Sequence, residues 1–113
     1  MPEPSRGDIW LVDFNPTRGR EQAGVRPAVI VSVDEFNHGP AGLLAVLPLT
    51  TKDKRIPLHV PVIPPEGGLN SKSFVKCEDI RTITKERLIS FLGKICNDTL
   101  EVIEGRLRLF LNL

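Results

Sequence analysis

Arg20, Glu21, Gln22 and Arg26 stand together in "GREQAGVRPAVIVSV", residues 19–33, directly before an apolar run. A core strand needs none of these groups, so a ligand or turn chemistry has to account for them. The guanidinium of Arg26 is planar and permanently charged, and its five donors match a phosphate. Pro27 keeps Arg26 out of the helical region and holds it extended at the mouth of the strand. Further on, Thr50 and Thr51 close the apolar run in "PLTTK". A threonine hydroxyl beside such an arginine can donate a further hydrogen bond to oxygens that gain negative charge. Composition and spacing alone leave a second account open, in which these are a loop arginine and a strand-end threonine pair.

Other chemistries find less support. No serine sits in a nucleophile-elbow setting, and no glycine-rich phosphate loop leads into a helix. Cys77 lies in a strand with no histidine nearby in sequence. His59, within a proline-rich strand, reads as a surface or edge side chain rather than a general base. Two cysteines with only His38 and His59 do not match a zinc spacing, so no metal is expected. Cys77 and Cys96 are expected to be reduced core residues. Net charge is +1, so any basic groove must be local. Arg18, Arg20 and Arg26 in one loop, with Lys52, Lys54 and Arg55 in another, could form one. Charge alone does not distinguish such a groove from solvated loops.

The elements that must position these groups are short. "DIWLVDF" (8–14), "PAVIVSV" (27–33), "LLAVLPL" (43–49), "IPLHVPV" (56–62), "SFVKCED" (73–79) and "ISFLGKI" (89–95) are apolar runs bounded by Gly, Pro, Asn or Asp. They predict the strands of a small antiparallel barrel. Pro57 and Pro61 make the fourth run an edge or bulged strand, because proline cannot donate to a ladder. At the C-terminus the period changes. Leu100, Ile103, Leu107 and Phe110 fall on one helical face, with Asp98 and Glu101 as a capping-box variant. Gly105 weakens this helix by about 1 kcal/mol relative to Ala and offers a close approach to the sheet. A helical turn at "TKERL", capped by Thr84, is also expected. The 113 residues fit one domain over 1–113. No apolar run could span a bilayer, and the start does not read as a secretory signal, so the expected compartment is the cytoplasm.

"GDIWLVDF", "GREQAGVRPAVIVS", "LPLTT" and "FVKCEDIRTI" occur in this order over nearly the whole chain. Together they resemble the MazF/PemK toxin family. The most specific parts are Glu21-Gln22-x-Gly24-x-Arg26-Pro27 and Cys77-Glu78-x-Ile80-Arg81-Thr82. The resemblance implies a mainly β, SH3-like barrel with a C-terminal helix, acting as a homodimer. It implies a metal-independent, cofactor-free endoribonuclease of a type II toxin–antitoxin system, with single-stranded RNA as substrate. Arg26 and Thr50 are implied as the catalytic pair. Arg20, Glu21, Gln22, Thr51, Lys52, Lys76, Glu78 and Asp79 are implied as RNA-binding residues. A cognate antitoxin is the implied partner, and operator DNA is bound only through it. Asp79 departs from the glutamine of many members. An ionised carboxylate cannot donate a hydrogen bond, so a changed cleavage sequence is expected. Two rivals share the fold: a gyrase poison of the CcdB type and a silent nucleic-acid-binding barrel. The poison is disfavoured because the chain ends "LFLNL" and its one tryptophan is Trp10.

Overall fold

The computed structural model describes residues 3–15 and 24–113. The elements are β1 (Asp8–Asp13), β2 (Val25–Ile30), a short helix α1 (Asp34–Asn37), β3 (Leu43–Thr50), β4 (His59–Val62), β5 (Ser73–Lys76), β6 (Arg81–Thr84), β7 (Leu88–Lys94) and the helix α2 (Asn97–Leu111). The strands run antiparallel in the order β4-β5-β3-β2-β1-β7, with β6 also paired to β3. As its prolines predict, β4 lies at the end of this order, with Pro61 opposite Phe74. The pairing of β1 with β7 slips twice, between Ile9 and Trp10 and between Leu11 and Val12. Such irregularities increase twist and help a sheet to curl.

The branch at β3 shapes one end of the sheet. Its last residues pair with β5 (Leu49 with Val75, Thr50 with Phe74). Its first residues pair with β6 (Leu43 with Thr84, through to Val46 with Arg81). Between β5 and β6 the chain makes a 3₁₀ turn at Cys77–Asp79. One strand therefore serves two partners, and the turn marks where they diverge.

Alternation along the strands sorts the apolar side chains into two clusters. Ile9, Val29, Leu47, Leu49, Val60, Val75 and Cys77 pack on one face with Ile103 of α2. Trp10, Val12, Phe14, Ala28, Ile30, Leu44, Val46 and Ile83 pack on the other. Trp10 meets Phe91 edge-on, with centroids 5.6 Å apart. Its indole N–H donates to Asp8, a buried carboxylate that also holds Lys94.

The C-terminal helix departs from the sequence reading in three ways. It begins at Asn97, with Cys96 as its capping residue and no side-chain cap, so Asp98 lies inside the first turn. Its expected apolar face holds for Leu100, Ile103 and Leu107, which pack on the core, but Phe110 is exposed. A Cβ at Gly105 would meet nothing within 4 Å, so this glycine makes no close approach. Arg106 ties the helix to the approach of β4 by donating to the Pro57 carbonyl at 2.9 Å. The turn expected at "TKERL" is a 3₁₀ turn at Lys85–Arg87, preceded by Thr84, which makes no side-chain cap bond. Cys77 is buried as expected, whereas Cys96 is exposed; both are free thiols.

Candidate active site

Arg26 and Thr50 reach the same face through the register of β2 and β3. Ala28 pairs with Pro48. Arg26 lies two residues before Ala28, and Thr50 two residues after Pro48. Side chains two apart on a strand share a face, so the guanidinium and the hydroxyl project from adjacent strand ends on one side of the sheet. Arg26 is half-buried opposite Val12 of β1. Thr50 is buried opposite Phe74 of β5. The Thr50 oxygen accepts the Lys52 backbone N–H at 3.2 Å. That bond fixes the hydroxyl oxygen and leaves its proton to donate.

A charged cluster continues this face. Lys76 is almost fully buried at the end of β5, and its Nζ lies 3.6 Å from Asp79 Oδ2. Arg81 donates to both Asp79 oxygens, from Nε at 3.2 Å and Nη2 at 3.0 Å. Its guanidinium carbon stands 4.6 Å over the ring of Phe14, a geometry favourable for cation–π attraction. Asp79 therefore anchors two cations of its own chain. Arg81 and Phe14 are not among the site residues that the sequence singles out. Arg81 stood inside the family motif, but only the fold shows that it straddles a ring from β1's end and the carboxylate of the 3₁₀ turn.

His59 meets its expectation in part, since it lies on the edge strand β4. It is not a surface side chain but buried, opposite Lys76 across the β4–β5 ladder. Its Nε2 lies 2.9 Å from Glu78 Oε2. An ionised carboxylate only accepts, so Nε2 carries the proton in that pairing. His59 Nδ1 and Glu78 Oε1 are buried without partners among the described residues. Glu78 is thus held from behind by β4.

Of the remaining expected contacts, Thr51 and Lys52 are exposed just beyond β3. Arg20, Glu21 and Gln22 lie outside the described residues. So does Arg18, and with it the expected meeting of the two basic loops. Among the described residues, no group of three or more His, Cys, Asp and Glu side chains could hold a metal ion. No described helix is long and apolar enough to cross a membrane.

The sequence profile of the PemK-like, MazF-like toxins of type II toxin–antitoxin systems matches residues 5–111. The chain belongs to this family. It is a toxin of the MazF endoribonuclease family, with the mainly antiparallel fold and C-terminal helix that its solved relatives share. MazF from Deinococcus radiodurans superposes with a TM-score of 0.86 at 27% identity, over 100% of both chains. The same species' MazE–MazF structure gives 0.80 at 27% identity, covering 100% of this toxin and 99% of the matched chain. A mycobacterial endoribonuclease solved with its cognate antitoxin gives 0.78 at 26% identity, covering 100% of this toxin and 97% of its own chain.

Proposed function

We propose that this toxin cuts single-stranded RNA at preferred sequences, without a metal, by attack of a ribose 2′-hydroxyl on the adjacent phosphorus. The products are a 2′,3′-cyclic phosphate and a 5′-hydroxyl end. The observation that carries this reading is the shared face of Arg26 and Thr50 at adjacent strand ends, in a chain of the MazF toxin family. Arg26 stabilises the negative charge that grows on the phosphoryl oxygens, and the Thr50 hydroxyl adds a hydrogen bond to them. Such groups act best when fixed in place beforehand. Pro27 and the ladder fix Arg26, and the Lys52 N–H fixes Thr50.

Glu21 or Glu78 accepts the proton of the attacking hydroxyl, and as the P–O5′ bond breaks the departing 5′-oxygen takes a proton from solvent. Arg20, Gln22, Thr51, Lys52 and Lys76 contact the RNA, whose unpaired bases are splayed into pockets. Asp79 also lies at this surface, acting through the cations that it holds. The toxin works as a homodimer in the cytoplasm. A cognate antitoxin blocks the groove, in keeping with the antitoxin-bound relatives, and operator DNA is reached only through it.

The test is incubation of the pure toxin with a long RNA, with and without EDTA, followed by mapping of the ends. Cleavage that survives chelation and leaves cyclic phosphates is expected. Placing 2′-deoxyribose at the cut site should stop cleavage there; continued cutting excludes the 2′-hydroxyl as nucleophile. Gyrase inhibition without RNA cleavage would instead assign the rival poison activity, and nucleic-acid binding without either would mark a silent barrel.

A further inference from the structure

A recess of about 310 Å³ opens at the same strand ends, on the opposite face from Arg26 and Thr50. Pro27 and Thr51, the residues that follow Arg26 and Thr50 in the chain, line it. Its walls are apolar: Leu11, Leu69 and Leu92 join Pro27. Its rim is polar and neutral, carrying the exposed Thr51, Asn70 and Ser71, with the buried Ser73 beneath them. The Ser73 hydroxyl donates to the Ser71 carbonyl, which ties that part of the rim together. Two of its lining residues, Gly68 and Leu92, meet through their backbones. Gly68 has φ +69°, and a Cβ there would collide with the Leu92 carbonyl oxygen. The segment that carries Leu69 and Asn70 is thereby pinned against β7.

We propose that this recess takes one unpaired base of the RNA, with the Asn70 amide reading the base edge. The inference rests on the ribonuclease reading above. Charge decides against a phosphate, because none of the lining residues is charged. Shape and polarity favour a base: apolar walls for its faces, and an amide offering a donor and an acceptor side by side. The volume lies at the lower end of small-ligand sites. Position fits as well. Pro27 and Thr51 of the recess lining directly follow Arg26 and Thr50 in the chain, so a base held there lies next to the proposed site of cleavage.

Two variants test this. Asn70→Leu keeps bulk and removes the amide; Ser71→Trp obstructs the mouth from an exposed rim position. Cut ends on a long RNA are sequenced for wild type and both variants. Binding is measured with an oligonucleotide carrying 2′-deoxyribose at the cut site. Asn70→Leu should relax base preference at one position beside the cut by roughly tenfold, the scale of a lost bidentate base contact. Ser71→Trp should weaken oligonucleotide binding. Unchanged preference and unchanged affinity in both variants overturn the recess as a base site while leaving the nuclease reading intact. A wild-type protein that neither cuts nor binds RNA overturns both. Variants that cut as wild type but escape a co-expressed antitoxin assign the recess to an antitoxin side chain, and overturn the proposal too.

Discussion

His59 on the edge strand β4 holds Glu78 on the turn between β5 and β6, with Nε2 and Oε2 2.9 Å apart. The imidazole is almost wholly enclosed, while the carboxylate keeps some solvent contact. The bond joins the edge of the sheet to the segment that also presents Asp79 to Lys76 and Arg81. His59→Leu removes the donor and leaves a half-buried carboxylate oxygen without it. Loss of such a partner costs about 1–3 kcal/mol. A lower urea midpoint at an unchanged slope is expected, with His59→Gln, which keeps an N–H, falling between wild type and the leucine variant. Equal midpoints for all three proteins would show that the pair adds nothing to folding.

Arg26 is expected to matter for cleavage and little for stability, since it is half-buried at a strand end rather than in either apolar cluster. Arg26→Ala should lower the cleavage rate by about 100- to 1000-fold, as for other lost charge stabilisers. Its thermal midpoint should stay near that of wild type. A folded variant with ordinary activity removes Arg26 from the role.

Thr50 offers a finer comparison, because its oxygen and its proton do different things. The oxygen accepts from the Lys52 N–H, and the proton is the one assigned to the phosphoryl oxygens. Thr50→Ser keeps both and should retain most activity. Thr50→Val keeps the shape and loses both, so cleavage should drop by about 100-fold or more. Equal rates for the serine and valine variants would exclude the hydroxyl from the reaction.

Much of the fold was legible because its longer strands are apolar runs, with β1 and β3 buried on both faces. β1, β3 and β7 are runs in which apolar residues recur on one or both faces, and punctuation bounds them. β6 was missed for the same reason: in "RTIT" only Ile83 is buried, and a four-residue strand carries no period. The four-residue helix α1 is equally silent. The approach of Arg26 to Thr50 depends on the β2–β3 register, which no local pattern records. The residue types raise the pairing as one of two accounts, and only the family resemblance singles it out. The His59–Glu78 pair was not expected at all. A proline-flanked histidine looks exposed until β5 is laid beside it.

The two glycines Gly68 and Gly105 should respond oppositely to alanine. Gly105 lies inside α2 with open space around its missing Cβ. Gly105→Ala should stabilise the protein by up to about 1 kcal/mol. That corresponds to a rise in Tm of roughly 4–8 °C for a domain near this size. Gly68→Ala meets a backbone oxygen and a left-handed φ at once, so a clear loss of Tm is expected. A rise in both variants would show that the close contact with Leu92 is relieved at little cost.

The cysteines should differ in reactivity, since only a thiolate attacks an alkylating agent. Burial pushes the Cys77 thiol up to about 12, and the neighbouring Glu78 charge adds to this, opposed by Arg106. Cys96 is exposed at the start of α2. At pH 8, iodoacetamide should modify Cys96 readily and Cys77 only after denaturant is added, as read by peptide mass. The same shift has a sign for stability. A thiol whose ionisation is suppressed in the folded state favours unfolding once the unfolded chain's thiol can ionise. Stability from this source is complete below about pH 9 and declines as pH rises toward 12. Cys77→Ala should lessen that alkaline decline while lowering stability near neutrality, where it leaves a cavity. Prompt alkylation of Cys77 in the native protein would mean that the cluster beneath α2 opens far more often than its packing implies.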